Sequence, residues 1–392
     1  MALEVLDLDF AALPERLDPQ PGYEGACVLL RIDGRPRGQA ILSYDKFDPE
    51  APLDRQLAEA ANSSFWESWL ARELGVVEDE PGCAPEALPS ASVAICTRER
   101  PDDLEKCLQG LQAMSVVPEI LVVDNAPATE ATRAVVERHP AVRYVVEPRK
   151  GLNFARNTAI EHARGEIVVF IDDDAVPDRE WFASLVRNFD DPLVMAATGL
   201  TMALELESEA QIAFQRLGGF GRGFKRVVHD AIKIEPFEGW IAGAGVNLAL
   251  RRSAVDLVGP FDPALDAGTA SRAGGDTDYF RRLLSAGYKI VYDPHALNWH
   301  RHRRSMEELE QQIHGYECGY FAILTKALLF ERNPRAVTTL ARWLRHQIPA
   351  VLRARRRSAD YKVPFRIPIA QAVGACSGPG GYLRARREAR RS

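Results

Sequence analysis

The sequence lacks the marks of a secreted, disulfide-bonded or membrane-spanning protein. Its six cysteines are scattered along 392 residues without a C-x-x-C pair, which favours reduced thiols over a disulfide framework or a zinc site. No apolar run reaches the roughly 18 residues that a membrane-spanning helix needs. The opening residues, MALEVLDLDF, are acidic and contain neither the basic nor the apolar region of a secretory signal. We therefore expect a cytoplasmic protein.

The sequence also lacks the glycine-rich loops that mark two common kinds of nucleotide site. Neither a G-x-G-x-x-G sequence after the first strand of the α/β region nor a Walker sequence is present. Their absence argues against dinucleotide-binding and kinase-type sites. A nucleotide site in this chain would have to use other groups, such as carboxylates and basic side chains at strand ends.

The charge that is present is unevenly distributed. The chain has a net charge of −6, yet residues 301–392 hold 19 lysines and arginines against 7 acidic residues. The length suits two or three domains. We predict a small α+β module over residues 1–85, an α/β catalytic domain over 86–304 and a basic helical extension over 305–392.

The N-terminal module shows a hairpin pattern followed by a helical one. The runs Ala26–Ile32 and Gln39–Tyr44 read as strands, and the turn sequence Asp33–Pro36 joins them. One helix is predicted from Leu53 to Leu74. The stretch Val76–Pro89, with little that could pack, reads as a linker to the next domain.

The most informative stretch is Ile167–Asp178, IVVFIDDDAVPD. Five apolar residues predict a strand that is buried on both faces, and it opens into three carboxylates at its carboxyl end. Three neighbouring carboxylates repel one another, so the arrangement favours a divalent cation, and oxygen ligands select Mg²⁺ or Mn²⁺. A solvated acidic turn is the alternative, which the buried strand disfavours. Asp178 is predicted to cap a helix that begins at Arg179.

From Ser92 onward, strands alternate with helices, which predicts a mostly parallel sheet with helices on both faces. The first helix, Asp102–Met114, is predicted to be capped by Asp102. Polar residues follow several of the strands and should share the carboxyl edge of the sheet, where open α/β sheets bind ligands: Thr97, Asp124, Asn125, Lys150 and Gly151. A carboxylate there can bind a ribose or a base, while Arg149 and Lys150 before a helix suit a pyrophosphate.

The region from Met195 to Arg304 adds a second group of candidate residues. The small-residue stretch Gly239–Gly245 would let a ligand approach the backbone closely. Asp276 and Asp278 open a predicted helix over Tyr279–Ala286, and either of them could simply cap it. The last strand, Lys289–Tyr292, leads to a His-Arg-His sequence at residues 300–302.

With these pieces assembled, the segment from about Ser90 to His302 resembles a family-2 glycosyltransferase of the GT-A fold. The matching pieces, in the order of the family, are VAICTRERP, LVVDNAP, KGLNFARNTAI, VVFIDDDAVPD, GAGVNLALRR, VGPFDPAL, GGDTDYFRRLLSAGYKIVYDP and NWHRH. The resemblance implies an inverting transferase that takes a sugar from a nucleotide diphosphate, usually UDP, with Mn²⁺ or Mg²⁺.

The resemblance also implies roles for individual residues. Asp172 and Asp174 would bind the metal, Asp173 would lie near the ribose, and Asp124 would contact the nucleobase. Asp276 would be the catalytic base, with Asp278 as the alternative. Apart from the resemblance, His300 follows a strand of the same sheet and could complete the metal shell or contact the phosphate. Gly275 stands where the family usually has a glutamate. The implied nucleotide-sugar site comprises Thr97, Arg98, Asp124, Asn125, Lys150, Gly151, Asn153, Arg156, Asp172 and Asp173. The implied acceptor side comprises Trp240, Gly243 and Asp278.

The C-terminal extension carries an apolar stripe beside many arginines. The stripe has helical spacing and consists of Val337, Leu340, Leu344, Ile348 and Val351. Such a helix can lie on an anionic membrane, which would suit a lipid-linked acceptor. Alternatively, the stripe packs on the catalytic domain. Nucleic acid is disfavoured, because no binding motif is present.

The sequence therefore predicts a metal-dependent inverting glycosyltransferase that acts on a glycan, a lipid-linked glycan or a small molecule. A nucleotidyltransferase is one alternative, although it would usually bring a glycine-rich signature near the first strand. An inactive nucleotide-sugar or carbohydrate-binding module is another, and the intact Asp172, Asp174 and Asp276 argue against it.

Overall fold

The N-terminal module is a three-stranded sheet covered by two helices, in a computed structural model that describes residues 2–76, 88–356 and 366–391. The predicted linker and the boundary near residue 85 lie mostly outside these residues. Strand β2 pairs in parallel with β1 and antiparallel with β3. The module comprises β1 (Leu3–Asp9), β2 (Gly25–Ile32), β3 (Arg35–Ser43), α1 (Leu53–Ala60) and α2 (Ser63–Glu73). The predicted hairpin is confirmed: Asp33 and Gly34, at its turn, both have the positive φ that tight hairpin turns require.

The prediction of one continuous helix from Leu53 to Leu74 was wrong. The chain is extended at Asn62, with φ −73° and ψ 165°. The Asn62 side chain accepts hydrogen bonds from the backbone N–H of Phe65 and of Gln39. Because the first of these bonds caps α2 and the second ties the break to β3, a helix break is stabilised where the apolar pattern alone shows none.

Nine strands of the described chain form the central sheet. They are β4 (Ala91–Thr97), β5 (Glu119–Asn125), β6 (Val142–Glu147), β7 (Ile167–Asp172), β8 (Ala175–Pro177), β9 (Val194–Ala203), β10 (Val227–His229), β11 (Asn247–Arg251) and β12 (Lys289–His300). Their order is β10-β12-β9-β11-β7-β4-β5-β6, and β8 pairs with β12. The α/β fold is confirmed, but the sheet is mixed, because β11 runs antiparallel to both of its neighbours.

Helices cover both faces of this sheet, as predicted. They are α3 (Pro101–Gln112), α4 (Ala131–Val136), α5 (Leu152–His162), α6 (Trp181–Val186), α7 (Glu209–Arg216), α8 (Ala254–Val258) and α9 (Gly275–Ser285). Alternate residues of one strand enter different cores: Val169 packs with Trp181 on one face, and Phe170 packs with Tyr279 on the other. This alternation is why the buried strands read as continuous apolar runs.

Three local predictions need correction. Helix α3 begins at Pro101, and Asp102 lies in its first turn without capping it. Helix α6 begins at Trp181, and Asp178 instead forms a 2.5 Å ion pair with Arg31 of the N-terminal module. The last strand is longer than predicted and continues through residue 300 after a bulge. The fixed φ of proline decides the first of these boundaries. Contacts with distant segments decide the other two.

Three long helices complete the chain: α10 (Met306–Leu329), α11 (Arg335–Arg356) and α12 (Arg366–Ala389). A capping box of Ser305 and Glu308 starts α10. Val337 of the predicted stripe is 52% exposed, and Leu340 and Leu344 are exposed as well. The side chains of Ile348 and Val351 lie outside the described ones. None of the helices in the described ranges has the length and apolar character needed to cross a bilayer.

Candidate active site

The carboxyl edge of the parallel strands brings the predicted polar residues together. Thr97 at the end of β4 pairs with Asp124 at the end of β5. On the other side of β4, Cys96 pairs with Asp172 at the end of β7. Three strand ends therefore deliver a hydroxyl and two carboxylates to one edge, as the strand pattern predicted.

Asp172, Asp174 and His300 form a cluster with the character of a metal site. One ligand atom from each lies within 4.8 Å of the others. Asp174 Oδ1 is 3.0 Å from His300 Nε2. The pairing of β8 with β12 explains this meeting, because Ala175, directly after the triplet, pairs with His300. Two carboxylates and an imidazole, partly buried, form a donor set that suits Mn²⁺ or Mg²⁺.

Asp173 points away from this cluster and toward the end of β4. Its carboxylate accepts a 2.7 Å hydrogen bond from Thr97 Oγ1 and a 3.1 Å one from Arg100 Nη1. Burial, followed by the charge of Asp174, raises the pKa of Asp173 to about 7. The same guanidinium binds Asp174 Oδ2 at 2.7 Å. Sequence reasoning missed Arg100; its place in the turn after a strand that ends beside the triplet was the available signal.

Opposite electrostatic effects act on the two predicted metal-binding carboxylates. Burial and the charge of Asp174 raise the pKa of Asp172. Burial also acts to raise the pKa of Asp174, but His300 and Arg100 outweigh it and hold that pKa well below its usual range. Of these two carboxylates, Asp172 is therefore the one whose negative charge the surroundings disfavour, and a bound cation would stabilise that charge.

Asp124 and Asn125 occupy the part of the edge where a nucleoside is expected. Asp124 is fully buried, and its Oδ2 accepts a 2.7 Å hydrogen bond from Tyr144. Its Oδ1 has no hydrogen-bond partner in the described part of the chain, and burial raises the pKa of this carboxyl group. Asn125 holds the next loop through the N–H of Gly151 and the carbonyl of Arg149.

The three predicted basic residues are all exposed, but their contacts differ. Arg149 forms a 2.8 Å ion pair with Glu147 and stacks on Phe154, while its side chain remains 45% exposed. Lys150 is exposed and lines the large cavity described below. Arg98 is also exposed, and its Nε lies 3.5 Å from the carbonyl oxygen of Ala126.

Asn153 and Arg156 are buried in the interior, next to the carboxyl edge of the sheet. Asn153 donates to the carbonyls of Asp262 and Leu265. Its Oδ1 accepts a 3.1 Å hydrogen bond from Arg156. Arg156 is 4% exposed, yet it reaches the cavity wall. Burial lowers the pKa of Arg156, and the carboxylates of Asp266, Asp276 and Asp172 together raise it above its usual value.

Asp276 lies in the first turn of α9 and faces the cavity. Its Oδ2 accepts a 2.7 Å hydrogen bond from the N–H of Gly245, and its Oδ1 accepts one from Thr277. The glycine-rich segment after residue 239 therefore reaches the predicted base, as a close backbone approach requires. No side chain of α9 caps the helix, and Gly274 stands at the cap position.

The structure corrects the prediction for Asp278. This residue is fully buried. Its carboxylate forms ion pairs of 2.7 to 2.9 Å with Lys326, Arg281 and Arg282. Side chains two residues apart on a helix point in different directions, so Asp278 ties α9 to α10 while Asp276 faces the cavity. Asp278 is therefore not on the acceptor side.

A cavity of about 1420 Å³ opens in front of Asp172, His300 and Asp276. The predicted acceptor residues Trp240 and Gly243 line it, and Trp240 is 48% exposed. The far wall comes from α10 and α11, which contribute aromatic side chains: Tyr316, Tyr320 and Trp343. Sequence reasoning missed this wall, because the C-terminal helices carry no motif that connects them to the site.

Comparisons with known proteins identify the family. The model of the family described as Glycosyl transferase family 2 matches residues 92–256. The glycosyltransferase AglE of Haloferax volcanii is 25% identical over 233 residues, which are 58% of this chain and 71% of AglE. The pre-mycofactocin glycosyltransferase of Mycobacterium tuberculosis is 27% identical over 223 residues, 55% of this chain but only 44% of that protein.

A solved structure supports the fold. The mannosyltransferase PcManGT of Pyrobaculum calidifontis, solved in complex with GDP-Man and Mn²⁺, superposes with a TM-score of 0.52. The two chains are 20% identical, over 80% of this chain and 93% of that one. The fold is that of the GT-A glycosyltransferases, and the family model and the curated relatives support glycosyltransferase activity. The chain belongs to glycosyltransferase family 2.

Proposed function

We propose that this protein transfers a sugar from a nucleotide diphosphate, with UDP-sugars as the first candidates, to an acceptor hydroxyl with inversion of configuration. The observation that carries the proposal is that Asp172, His300 and Asp276 line one cavity. A metal-type cluster for the diphosphate and a carboxylate for the acceptor then face the same space.

The donor would lie along the carboxyl edge of the sheet. Asp124 Oδ1, buried and without a partner in the described chain, is suited to accept an N–H from the edge of the base. Lys150, exposed beside the cavity, can contact the phosphates. Asp172, Asp174 and His300 would hold Mn²⁺ or Mg²⁺, which when bound would stabilise negative charge on the leaving diphosphate.

Asp276 would act as the general base. Its carboxylate takes the proton of the acceptor hydroxyl as that oxygen bonds to the anomeric carbon. The bond from this carbon to the diphosphate oxygen breaks, and its electron pair leaves with the nucleoside diphosphate. The N–H groups of Gly245 and Thr277 hold the carboxylate in place. Attack from the face opposite the leaving group inverts the configuration.

The acceptor would enter from the side of the C-terminal helices. Trp240, Tyr316, Tyr320 and Trp343 line this part of the cavity, and aromatic faces offer flat apolar surfaces against which sugar rings can pack. The basic α11 would place the opening next to an anionic membrane, which favours a lipid-linked glycan as the acceptor over a soluble glycan or a small molecule.

A donor screen tests the proposal. Release of nucleoside diphosphate is measured for UDP-, GDP- and dTDP-sugars with Mn²⁺ and with Mg²⁺, each with and without candidate acceptors. We expect release to depend on the ion and to accelerate with the right acceptor. Release of pyrophosphate from a nucleoside triphosphate and a sugar phosphate would instead indicate a nucleotidyltransferase. Donor binding without turnover on any acceptor would indicate a binding module.

A further inference from the structure

The loop between α8 and α9 carries an aspartate that the sequence patterns do not single out. Asp266 has a backbone φ of +79°, in the left-handed region that non-glycine residues adopt only at a cost. Its side chain lines the cavity beside Asp276. A strained backbone that brings a carboxylate to a reaction cavity calls for a reason in its contacts.

The carboxylate of Asp266 contacts the side chain of Arg156 and two backbone N–H groups. Asp266 Oδ2 accepts a 2.6 Å hydrogen bond from Arg156 Nη1 and a 3.2 Å one from the N–H of Gly275. Asp266 Oδ1 accepts a hydrogen bond from the N–H of Ala267. The two side chains of the ion pair are only 5% and 13% exposed. The pair is therefore largely buried at the cavity wall, and each charge depends on the other.

Arg156 in turn lies next to the proposed base. A Cβ atom placed on Gly245 would lie 2.6 Å from Arg156 Nη2 and 3.2 Å from Asp276 Oδ2. The guanidinium and the carboxylate thus meet at the same backbone position. They form no ion pair within 4.0 Å in the described chain, and the partner that Arg156 has instead is Asp266.

The position before the base has no room for a side chain. A Cβ atom on Gly275 would overlap Asp266 Oδ2 and would lie 2.5 Å from the side-chain amide of Asn153. The carboxylate of Asp266 fills the space that the first atom of a side chain at residue 275 would need.

We propose that Asp266 is a positioning residue for the transfer reaction, holding Arg156 beside Asp276 and supplying the carboxylate that residue 275 cannot carry. This rests on the proposed role of Asp276. Without the charge of Asp266, the buried guanidinium of Arg156 would turn to Asp276 and form an ion pair with it. The base would then be drawn away from the acceptor hydroxyl.

Two substitutions test the proposal while respecting the positive φ. Asp266→Asn removes the charge, and Asp266→Gly removes the carboxylate. Both residues tolerate this backbone region. We expect turnover to fall by about 10- to 100-fold, the range that misplacement of a reacting group can cost, with wild-type donor affinity by calorimetry. Added formate should restore part of the turnover of Asp266→Gly, because it can enter from the cavity.

Asp262→Asn is the matched control. Asp262 belongs to the same loop but contacts Lys326 and Tyr382, away from the cavity, so this variant should keep its turnover. Normal turnover of Asp266→Asn, or a loss of turnover that formate does not relieve in Asp266→Gly, would overturn the proposal.

Thermal unfolding separates this proposal from the proposed function. The melting temperatures of Asp266→Asn, Arg156→Lys and the double variant should be non-additive, because the two residues form one buried pair. Additive shifts would overturn the pair even if sugar transfer is demonstrated. Non-additive shifts in a protein whose wild type transfers no sugar would leave the pair standing and reject the proposed function.

Discussion

At the scale of single residues, different surroundings give different roles to Asp276 and Asp278, which lie two positions apart. Asp276 accepts N–H groups at the edge of a cavity. Asp278 is fully buried among three cationic side chains. An aspartate is therefore placed for catalysis at position 276 and stabilises the fold at position 278.

Asp278→Asn should destabilise the protein strongly. Removing one member of a buried ion cluster leaves the others uncompensated, which costs about 3–5 kcal/mol. Urea unfolding measures the change, with Asp276→Asn as the control that should alter stability far less. Equal stability of the two variants would contradict the cluster.

Asp278 also predicts a pH dependence of stability. Burial acts to raise its pKa, but Lys326, Arg282 and Arg281 outweigh burial and hold the pKa far below the usual range. Its stabilising contribution is thus complete above the unfolded-state pKa of about 3.9 and is lost as the pH falls through the lower folded-state value. The free energy of unfolding of the wild type should drop more steeply on acidification than that of Asp278→Asn. Parallel pH curves would argue against this assignment.

Asp172→Asn should separate stability from binding. Burial and the charge of Asp174 disfavour the charged form of Asp172, so removing its charge should leave the melting temperature unchanged or raise it. Calorimetry should show that Mn²⁺ no longer strengthens donor binding. Equal donor affinity of the wild type with and without Mn²⁺ would contradict the metal assignment.

At the scale of elements, glycines allow α12 to pack closely on α10. A Cβ atom on Gly378 would lie 2.5 Å from Phe321 Cβ and 2.6 Å from the carbonyl oxygen of Cys318, whereas one on Gly380 would meet nothing within 4 Å. Gly378→Ala should therefore cost about 1–3 kcal/mol through overpacking. Gly380→Ala, on the open side of the same helix, should be neutral or slightly stabilising. Thermal unfolding distinguishes them, and equal melting temperatures would rule out the close packing.

The elements also show what the sequence could predict. The strand before Asp172 and the alternation around it were predictable, because buried strands have a short-range apolar pattern. The break at Asn62 was not, because a bond to β3 stabilises it. The meeting of Asp174 with His300 depends on the pairing of β8 with β12, which no local pattern shows, although the position of His300 after a strand made it a candidate ligand. Asp266 gave no signal, since its role arises from contacts with Arg156 and Gly275.

At the scale of the whole molecule, charge suggests where the protein works. The basic C-terminal region and the exposed apolar residues Val337, Leu340 and Leu344 predict binding to anionic membranes. Flotation with anionic liposomes should show binding at low salt that weakens as salt rises, because screening shortens the reach of the charges. Neutral liposomes serve as the control. Failure to float at low salt would contradict membrane contact.

The proposed sugar transfer depends on Asp276 as its general base. The most direct test compares turnover and donor affinity in Asp276→Asn, which keeps the shape of the side chain and removes the base. Turnover should fall by about 10² to 10⁴, while calorimetry shows an unchanged affinity for the donor. Near-normal turnover of Asp276→Asn in a correctly folded protein would contradict this role of Asp276.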